Sequence, residues 1–491
     1  MCGSRLNRDS LELVIKPLSI ARRGKYWRGM GSFMKIEKTA IVEKEAAGLR
    51  ADVLKRISDE GIRTVRLVVT DMYGVPRGKV IPVERFERAL TGGHPFAIPL
   101  LACNLWQNHS SVESEYGQDI GYRNGVLVLD PSTFTRLPWT PDAAHVLTDL
   151  YDGTGNVVAT PRSVLRRVLE DARSIGLEPV FGNELEFYVY QPEQDGDGFK
   201  AIHGMQSWFS IHALGLAQEF VSALQDTASK MGIPLYEIFS EHGAGQFEVN
   251  LEPRSGVGAI DHVVALKIAI KEVASSFGLR ATFMAKPTNR DETPPSGYHM
   301  HQSVLGPDGE NLFFDPAAPH GLSETARHYI AGQLLHSRGM TALAAPTVTA
   351  YKRYRPGTWA PVRVVWGVDN RTALVRALPD GSNTRIENRM GSSDANPYLL
   401  AAAMVAAGVD GVRRGLDPGD PTDGNLFNDS RFDRIPMNLL EALDALASDD
   451  ELGAALGVVF SRTYTELLRF DWQRYLGHVS DWEIAEYREM L

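Results

Sequence analysis

At 491 residues the chain exceeds what one hydrophobic core usually holds, so a small domain beside a large one is expected, and an apolar share of 43% supplies both cores. The net charge of −10, with acids and bases interleaved, argues against a nucleic-acid or membrane surface as the main partner. Cys2 and Cys103 have no metal-ligand spacing and no apolar run reaches the roughly 18 residues of a membrane span, which excludes a disulfide scaffold and a spanning helix and fits a reducing, cytoplasmic setting.

The first 33 residues carry seven Lys/Arg against two acids and lack the apolar segment of a secretory signal, so residues 1–50 read as a flexible extension. Residues 51–152 read as a small domain rich in strands. The β-branched run from Thr64, the turn Tyr73-Gly-Val-Pro-Arg-Gly78 and the short run after it predict a hairpin, and Gly125-Val-Leu-Val-Leu-Asp130 predicts another strand. Thr160-Pro161 opens a helix whose apolar positions are Val164, Leu165, Val168 and Leu169, and Gly176 stops it. Over residues 153–491 strands alternate with amphipathic helices near 210–231, 259–277, 321–343 and 395–414, an α+β pattern around a large antiparallel sheet.

Two of these strands carry chemistry. Gly182-Asn-Glu-Leu-Glu186 and Tyr298-His-Met-His-Gln-Ser303 each place two metal-type ligands two residues apart, on one face of a strand. One Glu-x-Glu alone is usually a solvated face. With Glu241, Glu248 and Glu387 the set becomes five carboxylates (Glu184 and Glu186 being the others) and the imidazole of His299, which suits hard divalent cations such as Mg²⁺ or Mn²⁺. Arg353, Arg371, Arg376, Arg385 and Arg389 follow within 37 residues, interleaved with Glu387. Their planar guanidinium groups match carboxylate and phosphate oxygens, so an acidic cup facing an arginine wall reads as an ATP–carboxylate site.

From about residue 60 to the end, the motifs Gly-Asn-Glu-Leu-Glu-Phe, Gly-Ala-Gly-Gln-Phe-Glu, Ser-Gly-Tyr-His-Met-His-Gln-Ser, Tyr-Lys-Arg-Tyr-Arg-Pro-Gly and Arg-Ile-Glu-Asn-Arg resemble, in order, those of the glutamine synthetase superfamily, and of its γ-glutamyl-amine ligase branch. The resemblance implies an N-terminal β-grasp domain, a catalytic domain whose antiparallel strands form a funnel, and a homo-oligomer, a hexameric ring or dodecamer, with sites at subunit interfaces. It implies ATP and two or three Mg²⁺ or Mn²⁺ ions per site. Glu186, Glu241 and Glu248 would hold one cation, and Glu184, His299 and Glu387 the cation bridging the ATP phosphates. His301, Ser303 and Arg385 would contact nucleotide, Arg353 and Arg389 with Glu186 the substrate glutamate, and Arg371 and Arg376 the phosphoryl group in flight. The spacing from Glu241 to Glu248 is one residue shorter than in the ammonia-using enzymes.

The departures from that pattern set an expectation for the acceptor. Trp359 stands where ammonia-using relatives place a glutamate over the intermediate, and the stretch Gly92 to Trp106, where they place an acidic ammonium-binding turn, contains no acid. A small hydrated NH₄⁺ has little here to replace its water, so a larger primary amine is expected. Trp359, Phe96, Leu100, Leu101 and Trp106 would line an apolar or cation–π pocket for it. A polyamine would want distal carboxylates, for which Glu113, Glu115 and Asp119 are candidates, and an apolar or aromatic monoamine is slightly favoured over it. The Asn-Gly that precedes Ser-Gly-x-His in the family is Pro294-Pro295 here, and the tyrosine that some bacterial members adenylylate is Phe427. The implied activity is an ATP-dependent ligase joining the glutamate γ-carboxylate to an amine, for catabolism or detoxification. The alternatives are an ammonia-using glutamine synthetase, a catalytically silent structural or regulatory member, and a guanidino kinase sharing the funnel.

Overall fold

A computed structural model describes residues 40–107, 116–193, 198–290, 293–355 and 357–491, with side chains from residue 48 onward. Residues 1–39, Glu113 and Glu115 lie outside it. The helix Ala40–Asp59 runs across residue 50, where the extension was expected to end.

A first sheet comprises β1 (Thr64–Thr70), β2 (Pro76–Pro82), β3 (His94–Ala97), β4 (Asn124–Leu129), β5 (Thr135–Leu137) and β6 (Thr140–Tyr151), in the order β2-β1-β6-β4-β3 with β5 beside β6. The expected hairpin is β1–β2. Its turn is closed by Asp71, whose Oδ1 accepts the backbone N–H groups of Tyr73 (3.0 Å) and Val75 (2.9 Å), a use of a short acid that competes with strand and favours a turn. The one parallel pairing in this sheet joins β1 to β6.

The second sheet has ten strands: β7 (Glu178–Pro192), β8 (Phe199–Ala201), β9 (Leu235–Ser240), β10 (Gln246–Leu251), β11 (Arg254–Ser255), β12 (Arg280–Thr282), β13 (Tyr298–Leu305), β14 (Trp366–Val368), β15 (Val375–Leu378) and β16 (Arg385–Asn388). Its order is β14-β15-β16-β13-β7-β10-β9, with β8, β11 and β12 also on β7. All pairs are antiparallel, as the alternation of the ligand strands leads one to expect, except β14–β15.

Helices fill the space behind this sheet. Pro161–Arg173 starts with Thr160 and Ser163 satisfying each other's backbone N–H groups, and its apolar positions Val164, Leu165, Val168 and Leu169 are all buried. Helix Pro397–Arg414 is buried on every side from Pro397 to Val409, so it is the pillar of the core. It crosses helix Glu324–Leu335 closely: a Cβ on Gly332 would sit 2.0 Å from the Ala407 carbonyl oxygen, so only glycine permits that approach. The capping residue Asn396 also donates from Nδ2 to the Asp71 carbonyl at 3.0 Å, tying the pillar to the β1–β2 turn.

The helices Leu439–Ala447, Asp450–Leu456, Val458–Leu476 and Asp481–Tyr487 were not foreseen in the sequence. Asn438, Asp449 and Ser480 cap three of them with side-chain acceptors. None of the described helices is long and apolar enough to cross a membrane.

Candidate active site

The register of four strands assembles the ligands. On β7 Glu184 and Glu186 share a face, while Leu185 and Phe187 between and beyond them point into the core. Glu248 on β10 is paired with Glu186, His299 on β13 with Glu184, His301 with Glu387 on β16, and Glu387 with Arg376 on β15. Directly paired residues hold their side chains about 5 Å apart, and the pairs step by two residues along β7 and again along β13, so a diagonal line across one face of the sheet gathers these groups. All of them but His301 border a cavity of about 790 Å³ lined by Glu184, Glu186, Glu241, Glu248, His299, Glu387, Arg371, Arg376, Arg389 and Trp359 among others. Ten of the sequence-predicted site residues therefore meet in one chamber.

Its electrostatics are unbalanced. Glu248 is buried, and burial together with the charges of Glu184, Glu186, Glu241 and Glu387 holds its carboxyl well above the ordinary range. Burial and the neighbouring Glu241 push Glu186 up to about 8. Burial also raises Glu241. At the other end burial is outweighed: bonds from His299 (3.2 Å) and His301 (2.7 Å) hold Glu184 well below its usual value, and Arg389 does the same for Glu387. His299, buried and close to Arg389, falls to about 4 and stays neutral, the form that can ligate a metal.

Ligand atoms of Glu184, His301 and Glu387 all lie within 4.8 Å of one another, a grouping that could hold a cation. His301 Nδ1 is buried without a hydrogen-bond partner. The sequence reading assigned this imidazole to nucleotide and gave the ligand role to His299 alone; the shared face of an i, i+2 pair was the signal that both reach the spot. His299 remains next to it, with Nδ1 3.6 Å from Glu387 Oε1. Carboxylates and imidazole together are a donor set that fits divalent cations.

The arginines divide. Arg376 donates from Nη1 to Glu387 Oε2 at 3.0 Å and also pairs with Asp369, while Arg389 pairs with Glu387 Oε1 and reaches the Trp359 carbonyl at 3.4 Å. Arg371 lines the cavity. Arg353 does not. It is enclosed behind the wall, donating to the carbonyls of Met390 (3.0 Å) and Arg389 (3.1 Å) and facing His299 Nε2 at 3.2 Å. Arg385 and Ser303 also fall outside the lining; Arg385 is part-exposed, 3.8 Å from Asp380. Gly297 seals the corner between Arg353 and the acids: a Cβ there would lie 2.8 Å from Glu186 Oε1, 2.9 Å from Arg353 Nη2 and 2.9 Å from His299 Nε2.

The opposite end is aromatic. Trp359 is half-exposed, its ring centroid 5.9 Å from that of Trp208 and 6.4 Å from that of Phe427. Its φ of 60° is unusual for a bulky residue, and Phe209, also on the cavity wall, has φ 54°. Pro294 and Pro295 line the chamber, and their carbonyls accept from Tyr188 Oη (2.7 Å) and Gln246 Nε2 (3.4 Å). The expectation that Phe96 and Leu101 line an acceptor pocket is corrected: both are buried in the core, 2% and 1% exposed, because β3 and the turn after it face inward. Leu100 is part-buried against the same core, and Trp106, 79% exposed, is outside the chamber of its own chain. Asp119 is outside that lining too.

Residues 158–487 match the glutamine synthetase catalytic domain. The chain belongs to the glutamine synthetase family. Family members are ATP-dependent ligases, and this chain is one by membership. It is 33% identical over 466 residues to a glutamine synthetase of Halobacterium salinarum, covering 92% of this chain and 98% of that protein. It is 32% identical over 459 residues to a glutamate–methylamine ligase of Methyloversatilis universalis, covering 89% and 98%. A solved GmaS/ADP complex superposes with a TM-score of 0.80 at 29% identity, covering 89% of this chain and 99% of that one. The α+β fold read from the sequence is the glutamine synthetase-like fold of these relatives.

Proposed function

We propose that this glutamine synthetase family member joins the γ-carboxylate of glutamate to a primary amine larger than ammonia, through γ-glutamyl phosphate. The observation that carries the reading is the aromatic acceptor end: Trp359, at the position where the resemblance puts a glutamate in ammonia-using relatives, stands against Trp208 in the same chamber. Similarity to a glutamate–methylamine ligase and to the GmaS structures supports it. Similarity to glutamine synthetases at 31–33% identity supports the second reading, an ammonia-using enzyme.

In the first step the γ-carboxylate attacks the γ-phosphorus of ATP and ADP leaves; in the second the amine nitrogen attacks the acyl carbon, inorganic phosphate leaves and the nitrogen loses a proton. Repulsion between carboxylate and triphosphate is the barrier in the first step. Arg371, Arg376 and Arg389 line the chamber; in this reading the first two face the transferring group and Arg389 the glutamate, and fixed positive charge there lowers that barrier by preorganisation. Glu186, Glu241 and Glu248, and Glu184, Glu387 and the two histidines, would hold divalent cations, which would supply Lewis-acid neutralisation of the phosphates. The enclosed Arg353 positions His299 and Arg389 rather than touching substrate.

The division into a small domain over 51–152 and a catalytic domain over 153–491, an oligomer with interfacial sites, and a cytoplasmic location belong to this proposal. The test is a screen of ammonia, ethylamine, a diamine and aniline with glutamate and ATP, reading released phosphate and the mass of the amide. An alkylamine with kcat/KM at least tenfold above that of ammonia is expected. Ammonia as the best acceptor at low millimolar concentration contradicts it.

A further inference from the structure

We propose that Trp208, a residue no motif singles out, is the second wall of the acceptor subsite and sets, with Trp359, an aromatic corner for the ammonium head and alkyl group of a primary alkylamine. The inference rests on the acceptor reading given above. Trp208 precedes helix Ile211–Leu216, lines the cavity and is 42% exposed, so its indole is presented to the chamber rather than spent in the core. The planes of Trp208 and Trp359 meet at 84°, which makes a right-angled corner and not a closed stack. Two further contacts hold Trp208 in place. Its ring packs on His242 with centroids 4.4 Å apart, and its Nε1–H donates to Glu241 Oε2 at 2.8 Å.

That arrangement suits an alkylammonium in two ways. Indole faces attract a cation through the ring quadrupole, and they cover the alkyl group that ammonium lacks. Glu241, fixed by the Trp208 N–H and by the backbone N–H of His242 (3.0 Å), brings a carboxylate beside the corner. The acceptor end is thus not free of acids, as the sequence suggested, since the chain folds Glu241 against an indole 33 residues away.

The experiment measures steady-state phosphate release from wild type, Trp208→Phe and Trp208→Ala, varying ethylamine, ATP and glutamate in turn. Trp208→Ala is expected to raise the ethylamine KM about tenfold, the size of a partly desolvated cation–π contact, with Trp208→Phe between it and wild type and the ATP KM moved less than about twofold. An unchanged ethylamine KM in a wild-type enzyme that does use ethylamine overturns the Trp208 assignment alone. A parallel rise in the ATP KM also overturns it, placing the indole at the nucleotide. A wild type that turns over ammonia only overturns the acceptor reading and this inference together.

Discussion

Two buried clusters of charge among the described residues are built on opposite plans. At the junction of the first sheet with the helices, Arg162 donates to Asp261 through Nε (2.9 Å) and Nη2 (2.8 Å), to Asp130 at 2.7 Å and to Asp149 at 3.3 Å. Tyr398 donates to Asp261 at 2.6 Å and Arg166 approaches Asp149 at 3.0 Å, so this cluster supplies its own countercharge. In the chamber, by contrast, burial, with the charges of neighbouring carboxylates, pushes Glu186, Glu241 and Glu248 toward their protonated forms. Breaking a closed network by removing one partner is costly, whereas three carboxylates held against their charged forms mark a place suited to a cation from outside the chain.

The largest effect expected from this contrast is on activity. Glu387→Ala should lower kcat by at least about a thousandfold, because it removes a candidate cation ligand and leaves Arg376 and Arg389 without the carboxylate that both bind. Phosphate release measured with glutamate, ATP and amine checks it; activity within tenfold of wild type breaks the comparison. Next comes stability. Arg162→Ala should cost about 3–5 kcal/mol in denaturant unfolding, the loss typical when one partner of a buried ion network is removed, and a loss below about 1 kcal/mol would show that the aspartates there are not held by Arg162.

Glu248→Gln should do the reverse. In cation-free buffer it removes a repelled acid and should raise Tm slightly, by about 1–2 °C, while activity falls steeply. A lowered Tm would mean that Glu248 supports the fold. A further effect is the pH dependence of cation-free stability, about 1.4 kcal/mol per pH unit at most. Glu186, raised from 4.5 to about 8 in the fold, keeps a proton there that the unfolded chain has already lost, so between those values the folded state binds more protons and stability declines as pH rises. A bound divalent cation needs the carboxylate, so its affinity should rise across the same window and level off above about pH 8. Chemical denaturation at pH 6 and pH 8, with and without Mg²⁺, separates the two slopes.

The acidic half of the site was legible because strand geometry is local: Glu184 with Glu186, and His299 with His301, share a face by the two-residue repeat alone. The helix from Pro161 and the β1–β2 hairpin were legible for the same reason, through a proline at the first helical position with the apolar spacing behind it, and through a turn. What was missed depends on contacts between distant segments. Asp261 meets Arg162 from a helix 99 residues on, and Trp208 meets Trp359 across the chamber. Phe96 and Leu101 misled because apolar residues near a motif suit a core as well as a pocket. Arg353, inside a strong motif, turned out to brace the wall from behind.

The most direct test of the open cluster is a calorimetric titration of the ligand-free protein with Mn²⁺, for wild type and Glu248→Gln, at pH 6 and pH 8. Expected are at least one site per chain for wild type at pH 8, weaker binding at pH 6, and loss of that site in the variant. Equal binding by both proteins, or none by wild type, would contradict the claim that this acidic chamber exists to be neutralised by a divalent cation.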